Sequence, residues 1–260
     1  MKVSDIINKL ESLSPPMFAE GWDNSGLNCG RLDTEVTKIL ICVDVTDAVV
    51  NQAIKNEVNL ILSHHPLIFK GIKKVSDQDF IGRRITGLIE NKISLYAMHT
   101  NFDVMGMADE AADILDLANP SVLMTTFEDS ISKEGIGRVG MLPSRMTLEA
   151  CAGYVKEVFH IDQVKVFGNL KTKIDIAAIC PGSGSDAIED AINKGAQVLI
   201  TGDISHHVGI DSVARGLCII DAGHYNLEKI FIDFMKDYIN NEFKDIKVIR
   251  AKEELPFVYV

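Results

Sequence analysis

Residues 39–65, ILICVDVTDAVVNQAIKNEVNLILSHH, decide the fold class. Ile39-Leu40-Ile41-Cys42-Val43 is a short unbroken apolar run, the composition a parallel strand needs when both its faces are covered. Val49, Val50, Ala53 and Ile54 then share one face of a helix, and Leu60-Ile61-Leu62 supplies a second buried strand that ends at Ser63-His64-His65-Pro66. Strand, helix and strand make a βαβ unit, whose right-handed crossover sets the two strands parallel. Upstream, residues 3–13 read as a helix with Ser4 at its N-cap and Ile6, Ile7, Leu10 and Leu13 on one face. Ser14-Pro15-Pro16 ends it, and the turn-rich loop Gly21-Trp22-Asp23-Asn24-Ser25-Gly26 follows. Downstream, a helix near 79–90 leads into a third strand over 93–98, which ends at His99-Thr100-Asn101-Phe102-Asp103.

The second half carries the same pattern. Shifted by 138 positions, residues 39–65 align without a gap on 177–203, so that Ile41, Cys42 and Ala53 meet Ile179, Cys180 and Ala191. His64-His65 then fall on Gly202-Asp203, each pair just beyond an apolar strand. Shifted by 125, Ala97, His99, Asn101 and Asp103 fall on Ala222, His224, Asn226 and Glu228. The reading is an α/β chain of two similar domains from an internal duplication, with mainly parallel sheets flanked by helices. Residues 119–146 are punctuated by Pro120, Gly135, Gly137, Gly140 and Pro143, which reads as loops and a short hairpin. The domains are accordingly placed at 1–125 and 126–260, with a C-terminal helix and strand able to pack back on the first. Phe257-Val258-Tyr259-Val260 is read as the final strand.

Composition narrows the partners. The 260 residues hold 37 acidic against 26 basic side chains, a formal net charge of −11 that argues against bulk nucleic-acid binding. Five cysteines without a CxxC pair make no disulfide framework. The N-terminus lacks a signal-peptide apolar core, and no apolar run reaches the roughly 18 residues of a membrane span. The expectation is a cytoplasmic protein with no membrane partner.

The chemistry gathers at the strand ends. Six of the seven histidines lie in four clusters there: His64-His65, His99 with Asp103, Asp203 with His206-His207, and His224 with Glu228; His160 stands apart. In open α/β sheets ligands collect outside the carboxyl ends of the strands, where residues distant in sequence converge. Neighbouring side chains on an extended segment point opposite ways, so one of His64 and His65 could bind a metal while the other orients it or binds a second. If a helix follows the strand, His-x-x-x-Asp/Glu puts both donors on one face. Two such units point to two ions, which a carboxylate can bridge at about 3.5–4 Å. Mixed imidazole and carboxylate donors suit zinc, iron, manganese or nickel rather than calcium or magnesium. Pro181-Gly182-Ser183-Gly184-Ser185 could hold a phosphate at a helix N-terminus, but glycines and serines equally make turns and caps. No GxSxG elbow is present, and Cys42 and Cys180 lie inside apolar strands. Trp22, the only tryptophan, reads as packing on the core before stacking on a ligand.

Trp22-Asp23-Asn24-Ser25-Gly26-Leu27, Ser63-His64-His65-Pro66, His99-Thr100-Asn101-Phe102-Asp103, Thr201-Gly202-Asp203 with His206-His207, and Asp221-Ala222-Gly223-His224 with Glu228 resemble the Nif-three-like dinuclear-metal family. Its members are often labelled GTP cyclohydrolase I type 2 homologues, and the resemblance runs over nearly the whole chain. It implies two α/β domains, a toroidal homohexamer, and two metals per subunit at strand ends between the domains. By motif, the metal ligands fall on His64, His65, Asp103, His224 and Glu228, with Asp103 and Glu228 as bridges. Asp203, His206 and His207 then become surroundings of the site, and His99 a neighbour able to carry protons. The 119–146 segment leaves no room for the domain that some relatives insert there.

The functional expectation is a dinuclear-metal-dependent hydrolase that attacks a nucleotide or another phosphoester with metal-activated water. His99 or His206 would move the protons. The alternative is a nonenzymatic, ring-shaped metal-binding protein that stores or delivers metal, or serves as a partner-binding scaffold.

Overall fold

A computed structural model of the chain describes residues 1–252 and 255–258. The chain divides into two compact units, Met1–Phe102 with Phe231–Val260, and Asp103–Ile230. Residues 125 and 126, the boundary read from the sequence, lie inside one strand, Ala118–Glu128.

The first unit begins with α1 (Val3–Leu13), β1 (Gly26–Cys29), β2 (Lys38–Cys42), α2 (Asp47–Lys55), β3 (Leu60–Ser63), α3 (Phe80–Glu90), β4 (Ser94–Ala97) and a single turn, α4 (Thr100–Phe102). Thr46 caps α2 by accepting from the Val49 amide, and Asp79 caps α3 by accepting from the Ile81 and Gly82 amides. The βαβ unit forms as read: β2 and β3 are parallel with Ile39 opposite Leu60, and β4 continues the parallel run with Ser94 opposite Leu60. One face of this sheet packs Leu40, Ile61 and Leu95 against Val49 and Ala53 of α2 and Ile85 and Leu88 of α3. Each such fully buried Val, Leu or Ile side chain contributes about 1.5–3 kcal/mol.

The second unit opens on a π-helical turn, Asp103–Met107, before α5 (Ala108–Ile114). It continues through β5 (Ala118–Glu128), β6 (Lys133–Thr147), α6 (Leu148–Val158), β7 (Lys165–Phe167), β8 (Lys173–Ser183), α7 (Ile188–Asn193), β9 (Val198–Gly202), α8 (His206–Ala214), β10 (Cys218–Asp221) and α9 (His224–Glu228). The sheet order is β5-β6-β8-β9-β10-β7. Only β8-β9-β10 is parallel; β5 with β6, β6 with β8, and β7 with β10 are antiparallel, so this sheet is mixed rather than mainly parallel.

Residues 119–146 are therefore a long hairpin instead of loops with a short one. Its glycines mark bulges and close approaches, not breaks. A Cβ at Gly135 would strike the Met124 carbonyl across the ladder, and the pairing shifts between Thr125 and Phe127.

The chain then returns to the first unit with α10 (Ile230–Glu242) and β11 (Lys247–Arg250). β11 pairs parallel with β2, which completes the order β1-β4-β3-β2-β11 with only β1 antiparallel. α1 and α10 are tied by the Tyr238 hydroxyl, which donates to the Lys9 carbonyl, and by the Lys9–Glu242 ion pair. The Tyr96 hydroxyl of β4 reaches Glu11 of α1. Both sheets are thus flanked by helices. Phe257 and Val258 are not in a strand, and the Tyr259-Val260 part of the expected final strand lies outside the described residues. Among the described residues no helix is long and apolar enough to cross a membrane.

Candidate metal centre

In the first unit the parallel pairing of β2 and β3 runs past the strand ends: the His64 amide donates to the Cys42 carbonyl and the His65 amide to the Val43 carbonyl. The chain bends there, and Ser63 Oγ donates to the His65 carbonyl at 2.8 Å. This bend changes the expectation for adjacent histidines. The two rings do not point apart; their centroids are 4.9 Å from each other. His99, just beyond β4, joins them, and one ring nitrogen from each of His64, His65 and His99 lies within 4.8 Å of the others.

Each imidazole is aimed by an oxygen on its Nδ1. His64, fully buried, holds the Met98 carbonyl at 2.8 Å. His65 holds Asp44 Oδ1 at 2.9 Å, and His99 holds Asp23 Oδ1 at 2.8 Å. Carbonyl and carboxylate oxygens only accept, so Nδ1 carries the proton and a neutral ring presents its lone pair at Nε2. Metal-ligating histidines are characteristically oriented in this way.

The second unit repeats the device at the ends of its parallel strands. His224 opens α9, and its Nδ1 is 2.7 Å from Asp203 Oδ2. Asp203 adopts a left-handed backbone, φ 60°, just beyond β9. Glu228 lies one helical turn after His224, as the spacing requires, with Oε2 3.1 Å from His224 Nε2. Two atoms that both offer lone pairs at that distance require a proton or a cation between them. Asp103 is partly buried at the first position of the π-helical turn. Burial first, then the Asp103 and Glu228 carboxylates, push the Cys180 thiol up to about 12.

The chemistry of the donor set fits borderline divalent ions: nitrogen donors in a preset tautomer, with carboxylates able to bridge. His206 and His207 lie exposed at the start of α8, their ring centroids 5.3 Å apart. The Gly182 and Gly184 turn serves close packing. The space before Gly182 is taken by Glu228 and that before Gly184 by Thr201. Trp22 is mostly exposed instead of packed in the core. Asp44 is a functional candidate missing from the sequence reading, and Asp23 appears there only within the Trp22–Leu27 motif, with no role of its own. Their signal was position alone, each in a loop that meets a strand end.

Asp23 has a side chain shielded from water. Burial by itself would raise its pKa, but hydrogen bonds from His99, Ser25 and Thr100 outweigh that and hold the carboxyl far below the usual carboxylate range. A depressed folded value stabilises the fold above the ordinary value of about 3.9 and is lost as pH falls below it toward the folded value. Urea unfolding should therefore lose on the order of 2 kcal/mol from this group below about pH 4, a dependence that Asp23→Asn removes.

None of the five cysteines fits a nucleophile. Cys42, Cys151, Cys180 and Cys218 are buried, Cys29 is half-buried, and burial pushes the Cys151 thiol up to about 12. A thiol-specific chromogenic reagent should titrate at most Cys29 in the native protein and all five thiols in guanidinium.

Two helix-flanked sheets define an α/β protein, and the oriented histidines and carboxylates at their strand ends form groups that could hold a metal. The chain belongs to the DUF34/NIF3 family (NGG1p interacting factor 3), which matches residues 1–256. It is 35% identical over 264 residues to a Clostridium perfringens protein named GTP cyclohydrolase 1 type 2 homolog, with 100% of each chain covered. It is also similar to the crystal structure of a Bacillus cereus protein related to NIF3, with a TM-score of 0.91 and 25% identity over 100% of this chain and 99% of that one. The Staphylococcus aureus protein SA1388 gives a TM-score of 0.89 and 32% identity over 100% of this chain and 99% of its own.

Proposed function

We propose that the protein is a dinuclear-metal-dependent hydrolase acting on a nucleotide or other phosphoester. His64, His65, Asp103, His224 and Glu228 would hold two zinc, iron, manganese or nickel ions. The observation that carries this reading is the repeated one: four histidines, two in a pair and two alone, each fixed through Nδ1 to an oxygen. The relatives' name, GTP cyclohydrolase 1 type 2 homolog, supports a nucleotide substrate. Divalent ions held by these residues would supply Lewis acidity toward water and phosphate oxygens.

The chain's own residues supply the rest. Asp23 fixes His99, so that His99 Nε2 can take a proton from water and return it to a leaving group. The exposed His206 is the second candidate for that transfer. Asp44 and Asp203 hold His65 and His224 in their ligating tautomer. Assembly as a homohexamer in the cytoplasm belongs to the same reading.

The test is turnover of GTP and of a generic phosphoester by metal-replete protein, compared with the protein lacking both His65 and Glu228. Equal rates in the two would sink the hydrolase.

A further inference from the structure

Trp22 and Phe69 stand beside His99, 59% and 51% exposed. Their ring centroids are 5.7 Å apart and their planes inclined by 48°. Trp22 lies 5.8 Å and Phe69 6.1 Å from the His99 ring, both edge-on. Neither side chain hangs from a slack loop. Asp23, next to Trp22, is bonded to His99 and to both the amide and hydroxyl of Thr100. Ile68, next to Phe69, is gripped from both sides: Asn24 Nδ2 donates to its carbonyl at 2.6 Å, and its amide donates to Asn28 Oδ1 at 3.2 Å. The loop that carries Trp22 therefore sets the position of Phe69.

Two aromatic rings held in place yet left in water lack the packing that normally stabilises such side chains. A flat ligand laid on them would complete it. Charge indicates what else that ligand carries. Directly after Phe69 come Lys70, Lys73 and Lys74, with no acidic residue between His65 and Asp77. All three are exposed, and none pairs with a carboxylate among the described residues. In a chain of net charge −11 this is a concentrated cationic segment. A second copy of the chain seated two-fold on this face would set these lysines against their own mates, which disfavours a self-interface.

We infer that Trp22 and Phe69 seat the flat conjugated ring of the substrate and that Lys70, Lys73 and Lys74 receive its phosphate, making the ligand a nucleoside phosphate. This rests on the reading of the neighbouring histidines as the reaction centre.

Because Trp22 is the only tryptophan, intrinsic fluorescence reports on this one ring. The full-length protein as purified is titrated with GMP, guanosine and ribose 5-phosphate. GMP should quench the emission saturably, guanosine should do so more weakly, and ribose 5-phosphate should leave it unchanged. Phe69→Leu should weaken GMP at least about fivefold, as expected for loss of one stacking partner. Replacing the three lysines by serine should weaken GMP down to the level of guanosine. Quenching that rises only linearly with nucleotide, or a GMP curve unchanged by Phe69→Leu, overturns the inference. So does a fall in the size of the ligand-free assembly in Phe69→Leu, which would mark the pair as a contact between copies. Because binding is read without turnover, saturable quenching in a protein that hydrolyses nothing would sink the hydrolase and spare the seat. Phosphoester turnover with no saturable quenching would do the reverse.

Discussion

Replacing His65 and Glu228 together by alanine is expected to abolish both metal retention and hydrolysis while the chain still folds. After metal-replete expression, elemental analysis should fall from about two ions per chain to under about half an equivalent. Losing an oriented outer partner already costs roughly 10–100-fold in metal affinity or activity, and losing two proposed ligands must cost at least that upper figure. Folding should survive because neither side chain belongs to an apolar core cluster. His65 is only partly buried, and its ring packs on His64 and His99 and holds Asp44, polar neighbours outside the apolar clusters. Glu228 is a buried carboxylate, so its removal leaves His224 with Asp203 and relieves the cost of desolvating a charge. Circular dichroism and a thermal scan check the fold on the same samples. A variant that keeps two ions would break the ligand assignment. A wild type that holds two ions yet turns over neither GTP nor a phosphoester would favour the storage or delivery protein over the enzyme.

How much of this was legible follows the range of the interactions involved. β2, α2 and β3 are visible in residues 39–65 because an apolar strand and a 3.6-residue face are local patterns. The order even predicts pairing: Ile39 lies opposite Leu60, and Ala177, 138 positions after Ile39, lies opposite Val198, 138 after Leu60. That shared register supports the internal duplication we propose. The long hairpin of β5 and β6 was not legible. Its glycines and prolines carry the local signature of loops, and only the cross-strand approach of Gly135 to Met124 shows that they serve a ladder.

The site divides the same way. The histidines could be named because they sit at strand ends. What orients them could not, since Asp23 lies 76 positions from His99 and Asp44 lies 21 from His65. No spacing rule links such pairs; the sheet topology does. The π-helical turn at Asp103 is likewise invisible, because its residues carry no signature distinct from an α-helix.

Two glycine substitutions beneath α9 should separate stability from metal binding. Gly202 ends β9, and a Cβ there would meet the backbone nitrogen and Cα of His224 and the carbonyl oxygen of Gly182. No rotamer relieves a clash with backbone, so Gly202→Ala must shift α9 or β9. Overpacking of this kind costs about 1–3 kcal/mol. For a chain of this size that lowers the melting temperature by roughly 2–12 °C. Gly182 differs in what it faces. Its Cβ would lie 2.5 Å from Glu228 Oε1, the tip of a flexible side chain, which can swing away. Its φ of 79° adds about 1–2 kcal/mol of strain for alanine. The displaced carboxylate is one of the proposed metal ligands, so the larger effect should be on metal. Gly182→Ala is expected to fold with a smaller loss of melting temperature than Gly202→Ala, and to bind metal at least about tenfold more weakly. Metal titration followed by calorimetry on both variants reads the two effects separately. Unaltered metal affinity in Gly182→Ala, with Glu228 displaced, would remove Glu228 from the ligand set.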